Sequence, residues 1–583
     1  MLRRLAKIYF VPSIVSTLML TYTGNLPGHG QNPQRPGAEL LKGTQMAGWN
    51  FASIYKVVAE QIPDAVALIQ GPRRVTWKTL DARAEAIARY LAANGLVRQD
   101  KVAQYLHNTP EYLESILACF KGSFVPLNTN FRYGPDELVY LWENSDVSGV
   151  VFHGTYASTI ERLIDRVPRI KLWLWVDDGS GPCPAWAKPY EKAAVAAEAA
   201  PVPWQPDGDD LILVYTGGTT GMPKGVMWRQ DDLFVRLNTE RGDVYPDIPD
   251  PAFVRSHVST EGRAHLTAAP LMHGAGLLTC FLVLSRGGSI SHLQDRSFDP
   301  VDLLDTVVRD RVASLMWVGD AFARPVLAAL EANPGRWHLS CLQTIMSSGV
   351  VFSAEVKEQI LRHLPEVVIA DIFGSTETMS LGRSLTSKRE KTATASFKAK
   401  DATRVIGEDG KDVVPGSGVS GLLAIGGRQA MGYYGDAAKT AATFRIIDGK
   451  RYVVPGDWAT IGADGVVKLL GRGSGCINTG GEKVFPEEVE AVIKDHPAVY
   501  DVVVVGIPDE RFGQSIVAIV EAEKGAAIDA REVIEHVKAR LSSYKAPRHV
   551  IAVPSIGRGP NAKPDLNALR EMAISHLATR TRA

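Results

Sequence analysis

Charge of one sign does not predominate in this chain: Lys and Arg together number 64, Asp and Glu 64, for a formal net charge of +0. That balance supplies no electrostatic attraction for a polyanion, so nucleic acid is not expected as a partner. Cysteine is scarce. The five thiols, Cys119, Cys183, Cys280, Cys341 and Cys476, form no CxxC pair and have no histidine at metal-ligand spacing. Neither a disulfide framework nor a zinc site is suggested, and the cysteines read as buried thiols in a reducing compartment. No apolar run reaches the ~20 residues of a membrane-spanning helix. The nearest approach, Ile8 to Leu20, follows Arg3, Arg4 and Lys7 and precedes a Gly/Pro/Gln/Asn-rich stretch from Gly24 to Gly37. This is the charge-then-apolar order of a signal peptide. An upstream start is the alternative and the favoured expectation, with Met46 opening the folded protein and residues 1–45 an extension. Internal repeats and coiled-coil heptads are also missing.

What is present is the composition of a globular protein. The 583 residues, 45% hydrophobic and 22% charged, exceed one ordinary core and call for two or more domains. From Phe51 onward, helical and strand-like segments alternate, the pattern of an α/β fold. Helices are expected at Asp81 to Asn94, closed by Gly95, at Pro110 to Lys121 and at Pro135 to Asn144, with strands at Lys101 to Leu106 and Phe124 to Leu127. The Ala-rich run Ala193 to Ala200 and its Pro-rich sequel to Pro206 read as a surface connection. Glycine density rises at Gly471-Arg472-Gly473-Ser474-Gly475, where a backbone free to change φ and ψ can act as a hinge. Beyond it a small α+β unit is expected: helix Pro486 to Asp495, strands Val499 to Gly506 and Ser515 to Ala522, and helix Ala530 to Leu541. The predicted architecture is thus a large N-terminal α/β domain of layered sheets and helices, residues 46–472, and a small mobile C-terminal α+β domain, residues 473–583.

The most telling segment is Tyr215-Thr216-Gly217-Gly218-Thr219-Thr220-Gly221-Met222-Pro223-Lys224-Gly225, directly after the apolar strand Leu211 to Val214. Glycines admit close backbone approach, threonines supply hydroxyls and Lys224 supplies a cation, a combination suited to a polyphosphate. The lysine precedes glycine, so the Walker order is absent and a P-loop NTPase is excluded. A flexible Gly/Thr loop without function is the bland alternative.

This segment resembles the phosphate loop of the adenylate-forming superfamily, which includes acyl-CoA synthetases, peptide-synthetase adenylation domains and beetle luciferases. The resemblance runs from about Phe51 to Lys563. It implies that Thr216, Gly217, Gly218, Thr219, Thr220, Gly221 and Lys224 contact ATP, although Gly217 stands where the family usually has serine. Phe373-Gly374-Ser375-Thr376-Glu377 is similar to the family's aromatic-Gly-x-Thr-Glu motif. By that likeness Phe373, with Gly374 and Ser375, lies near adenine, Thr376 bonds the α-phosphate, and Glu377 holds Mg²⁺ together with Thr220. A carboxylate oxygen suits that hard cation. Ser348 and Gly349 join the nucleotide contacts by the same resemblance. Asp457 and Arg472 match the ribose-binding pair, although a Gly-Asp alone is only a turn. Ser474 replaces the usual hinge Asp or Lys.

Gly480 to Glu490 resembles the loop and helix that open the C-terminal domain. Glu487, Glu488 and Glu490 suit dipole pairing and solvation in the first helical turns better than acid-base work. Gly559-Pro560-Asn561-Ala562-Lys563 resembles the motif of the adenylation lysine, with Ala562 in place of glycine; a plain surface lysine is the alternative. Pro270-Leu271-Met272-His273-Gly274-Ala275-Gly276 resembles the border of the acyl pocket. Adenylation needs an already ionised carboxylate, so His273 is assigned positioning rather than general-base work. That segment, with Leu277, Leu278 and Trp317-Val318-Gly319, suits a roomy hydrophobic pocket. No carboxylate stands in Pro270 to Thr279 to pair a substrate ammonium, which disfavours amino acids. Twenty residues follow Lys563, leaving no room for a carrier domain, so free coenzyme A is the expected acceptor.

The resemblance implies an AMP-forming acyl-CoA synthetase using ATP, Mg²⁺ and coenzyme A on a carboxylic acid with a hydrophobic body. Met227 to Asp232 looks like the branch of actinobacterial fatty-acyl and steroid-acid CoA ligases. An acyl-AMP ligase, an aryl-acid CoA ligase and an inactive nucleotide-binding regulator are the alternatives. The chemistry places the protein in the cytoplasm, with peripheral membrane contact through the N-terminal segment as the alternative.

Overall fold

Local sequence sets the element boundaries. Thr76 accepts the Thr79 N–H and starts a helix over Trp77–Ala93, a turn earlier than the apolar spacing indicates. It ends with Gly95 at φ +85 and Leu96 N–H returning to the Leu91 carbonyl at 3.2 Å, a closure that favours glycine. Helices Pro110–Lys121 and Pro135–Asn144 open on the prolines that mark them in the sequence.

This computed structural model describes residues 48–583 except 197, 219–220, 240–243, 261, 350–351, 380–381, 390–395, 400–401, 473–474, 480–481, 510–511, 559–563 and 582–583. The chain divides into two units: one reaches to Leu315 and includes His338–Ile345, the other comprises Met316–Trp337 and Met346–Ala583.

In the first unit, strands run in the order Gly221–Arg229, Leu211–Gly218, Val125–Asn128, Lys101–Tyr105, Val147–His153, Leu172–Val176 and Lys188–Pro189. All neighbours are parallel except the first pair. Another run, Ala264–Thr267, Ser289–His292 and Val66–Gln70, is parallel, with Arg73–Thr76 returning antiparallel. Parallel strands covered by helices read as continuous apolar runs, and Val147–His153 and Leu172–Val176 are buried throughout.

The second unit holds strand Val368–Phe373 paired antiparallel with Gly382–Thr386, a seven-stranded antiparallel sheet between Ser396 and Arg472, and a five-stranded sheet beyond Ile477. The five-stranded sheet centres on the hairpin Val499–Asp509 with Gly513–Ala522. Val502 and Val504 pack with Val489, Ile493, Val533 and Val537, whereas Val503 and Val505 face Ala573. Burial on both faces explains the unbroken valine run. Helices Pro486–Lys494, Ala530–Lys538 and Leu566–Thr581 cover it; the last is not visible in the sequence pattern. No helix among the described residues is long and apolar enough to cross a membrane.

Two expectations are corrected. Cys119 and Cys280 are buried, but Cys183, Cys341 and Cys476 are only partly so. Of the Ala-rich run, Ala193 and Ala194 are buried at the end of the short helix Tyr190–Ala194, whereas the described residues from Val195 to Pro206 are exposed or half-buried and irregular, as a surface connection is.

Candidate active site

The threonine-rich segment is a hairpin. The strand expected to stop at Val214 continues to Gly218 and pairs with Gly221–Arg229, placing Thr216 opposite Lys224 and Gly218 opposite Gly221. Thr219 and Thr220 lie outside the described residues. A Walker loop runs from strand into helix; this chain returns as strand, in keeping with its sequence order. A Cβ on Gly225 would come within 2.6 Å of the Tyr215 ring, so glycine is required where the tyrosine crosses its cross-strand neighbour. The Tyr215 hydroxyl donates to Asn144 Oδ1 at 2.8 Å.

A buried residue missed by the motifs sets this hairpin in place. Asn128 accepts the Tyr215 N–H at 2.7 Å and donates to the carbonyls of Tyr215 at 2.8 Å and Met272 at 2.6 Å. The side-chain amide therefore ties the hairpin to the segment bearing His273. Asn108 secures the same segment by accepting the Leu271 N–H at 2.7 Å and donating to the Ala269 carbonyl at 3.0 Å. His273 is the N-cap residue of helix Gly274–Leu284. A Cβ on Gly276 would meet the Ala269 and Pro270 carbonyls at 2.8 Å, so the helix packs against its own approach loop. Leu277 and Leu278 are buried in that helix.

In the second unit, Phe373 ends strand Val368–Phe373 and stacks on Phe397, ring centroids 6.0 Å apart. Gly374 is exposed, while Ser375 and Thr376 are half-buried. The Thr378 N–H closes on the Ser375 carbonyl at 3.2 Å, bending the chain so that Glu377 leaves the strand line. Glu377 Oε1 accepts the Tyr433 hydroxyl at 2.6 Å, and its backbone carbonyl accepts the Ala430 N–H at 3.4 Å. Asp457 begins strand Asp457–Ile461 directly opposite Arg472 in the ladder, so this predicted pair is adjacent. Ser348 and Gly349 follow Ser347, with Gly349 at φ +95. Lys563 lies outside the described residues.

Two residues before Phe373 on the same strand, Asp371 is paired with Lys357, whose side chain is 2% exposed. Desolvation holds the Asp371 carboxyl above its ordinary range even though Lys357 pulls the other way. Of the three glutamates after Phe485, Glu488 salt-bridges Lys545 at 2.6 Å. Glu490 departs from the solvated role: it accepts the Val504 N–H at 2.8 Å and desolvation pushes its pKa up to about 7.

The donor set bears on a divalent cation. No group of three or more His, Cys, Asp or Glu positioned to hold a metal occurs among the described residues. The Glu377 carboxylate, anchored through one oxygen, fits an ion that draws the rest of its shell from phosphate and water, as Mg²⁺ does.

A profile of the AMP-binding enzyme family matches residues 55–434, and one of the AMP-binding enzyme C-terminal domain matches residues 488–563. The chain is 38% identical over 548 residues to the medium-chain acyl-CoA ligase Mig of Mycobacterium avium, covering 90% of this chain and 98% of that one. It is 37% identical over 527 residues to a 3-oxocholest-4-en-26-oate CoA ligase of Rhodococcus rhodochrous, covering 88% and 94%. Among solved structures, ATP-bound MatB from Rhodopseudomonas palustris superimposes with a TM-score of 0.75 at 26% identity, covering 90% of this chain and 99% of that one.

Proposed function

The chain belongs to the AMP-binding enzyme family, and from that premise we propose that it is an ATP-dependent, AMP-forming acyl-CoA synthetase acting on medium- or long-chain fatty acids or steroid side-chain acids. The observation that carries this reading is likeness over about nine-tenths of the chain to ligases named for those acids.

In this assignment Thr216, Gly217, Gly218, Thr219, Thr220, Gly221 and Lys224 hold the triphosphate. Phe373, Gly374 and Ser375 flank the adenine, Ser348 and Gly349 contribute further nucleotide contacts, and Asp457 and Arg472 bind the ribose. Thr376 bonds the α-phosphate. Glu377 and Thr220 would hold Mg²⁺, which neutralises phosphate charge. His273 orients the acid, and an apolar pocket beside helix Gly274–Leu284 receives its hydrocarbon body. A carboxylate oxygen attacks the α-phosphorus, the bond to pyrophosphate breaks, and Lys563 stabilises the charge that develops. The small domain, residues 473–583, then turns about the glycine-rich hinge. The coenzyme A thiol loses its proton and attacks the acyl carbon; a carbon–sulfur bond forms as the bond to AMP breaks.

The test is pyrophosphate release with coenzyme A present, across acids of increasing chain length and ring content. Acids with extended apolar bodies are expected to support release and thioester formation; absence of both across the series rejects the assignment. Lys563→Ala is expected to abolish adenylate formation while transfer from preformed acyl-AMP to coenzyme A survives. Equal loss of both steps would remove Lys563 from its role.

A further inference from the structure

Helix Gly319–Ala332 lacks a side-chain cap of its own. Its first turn is fastened to the segment bearing Ser348 and Gly349. The Gly319 N–H donates to Ser347 Oγ at 3.0 Å, and Asp320 Oδ1 accepts the Ser353 N–H at 2.9 Å. Those two bonds bracket the proposed nucleotide contacts on either side.

One turn further along, Arg324 reaches the five-stranded sheet. Its Nη1 donates to Glu523 Oε1 at 3.1 Å, and its guanidinium lies 5.1 Å from the Tyr500 ring centroid. Its Nε is 3.8 Å from Asp320 Oδ2. The arginine side chain is 15% exposed, whereas Glu523 is 38% exposed. Tyr500 and Glu523 flank the open end of the valine hairpin, where Val499 pairs with Ala522 and the Glu523 N–H returns to the Ala498 carbonyl at 2.9 Å. Arg558, bound to Asp501 at 3.0 Å, also feels the charge of Asp320. A planar guanidinium suits this setting, since it can donate to a carboxylate while covering an aromatic face.

We propose that Arg324 is a positioning residue: it latches the small domain, through Glu523 and Tyr500, in the arrangement seen here, and through Asp320 and Ser353 links that latch to the Ser348–Gly349 segment. The proposal rests on the acyl-CoA synthetase reading, in which the small domain must adopt one placement for adenylation and another for thioester formation. A contact formed in only one placement biases the equilibrium between them by its own free energy. Arg324 therefore sets how turnover is divided between the half-reactions without touching either substrate.

Charge reversal tests it. Arg324→Glu, Glu523→Arg and the double variant are compared in acid-dependent ATP–pyrophosphate exchange and in transfer from preformed acyl-AMP to coenzyme A. Each single variant is expected to change the ratio of the two rates by about fivefold or more, in the same direction, and the double variant to bring it back within about twofold of the original. Unchanged ratios, equal losses in both half-reactions, or no recovery in the double variant would overturn the latch. Tryptic cleavage between residues 472 and 483 gives a readout free of catalysis: faster cutting in each single variant and restoration in the double support the latch, and uniform cutting refutes it. Should the unaltered protein catalyse neither half-reaction, the acyl-CoA synthetase reading fails, and the cleavage pattern alone decides the latch.

Discussion

The strand that leads into the threonine-rich hairpin and the strand that leads into Phe373 are anchored by different chemistry. Asn128 fixes the first with a neutral amide that makes three hydrogen bonds to backbone groups. Lys357 and Asp371 fix the second with an ion pair taken almost wholly out of water. The amide is satisfied on each bonded atom, and its net worth is about 1 kcal/mol per bond. The ion pair is different: its attraction must offset the desolvation of two charges, so it contributes little as a pair yet punishes removal of either partner. Two positions with comparable placing work therefore differ sharply in how they fail.

The largest expected effect follows from breaking the ion pair on one side. Lys357→Met leaves a buried carboxylate unpaired and is expected to cost about 3–5 kcal/mol in denaturant unfolding, with Lys357→Met/Asp371→Leu recovering most of it. A single variant as stable as the parent would show that Asp371 is not held as an anion. Asn128→Ala should cost about 2–3 kcal/mol and lower pyrophosphate exchange, because it releases both the hairpin and the His273 segment; unaltered exchange would show that the hairpin is held by its ladder alone. Tyr433→Phe is smaller: about 1 kcal/mol or less in stability, seen chiefly as a changed Mg²⁺ requirement. An unaltered requirement would detach Glu377 from the metal.

Acidity separates two other regions. Burial lowers the pKa of His107, His153 and His292 at strand ends of the first unit from 6.5 to about 4. Their contribution is fully present above pH 6.5 and is lost as pH falls from 6.5 towards 4, where the unfolded chain binds protons and the folded chain does not. Glu490 runs the other way. Raised from 4.5 to about 7, it stabilises most below pH 4.5, and that contribution is lost as pH rises from 4.5 to 7. Hydrogen exchange corrected for intrinsic rates should show the first unit loosening on acidification and the valine hairpin loosening towards neutrality. The same trend in both regions would refute the contrast.

Much of the architecture was legible because local signals and tertiary structure agree. Pro110 and Pro135 mark helix starts, and the valine run marks a strand. Glycine and threonine around Tyr215 carry no apolar alternation and so look like a loop; the hairpin's strand character comes from pairing with Lys224 and Gly225. Motif positions Phe373, Glu377, Asp457 and Arg472 could be named through the family resemblance. Their supports could not: Asn128 meets Tyr215 across 87 residues, and Arg324 meets Glu523 across 199. An asparagine closing an apolar strand was the available clue to Asn128. At Glu490 helix position indicates solvation, whereas the bond from the Val504 amide decides the matter.

In the proposed reaction a carboxylate oxygen attacks the α-phosphorus of ATP and coenzyme A then displaces AMP. Supplying the purified protein with a fatty acid whose carboxylate carries heavy oxygen, together with ATP, Mg²⁺ and coenzyme A, tests this directly by mass spectrometry of the nucleotide. AMP bearing one labelled oxygen in its phosphate is expected, in step with thioester. Thioester formed with ADP, or with AMP that carries no label, would contradict it.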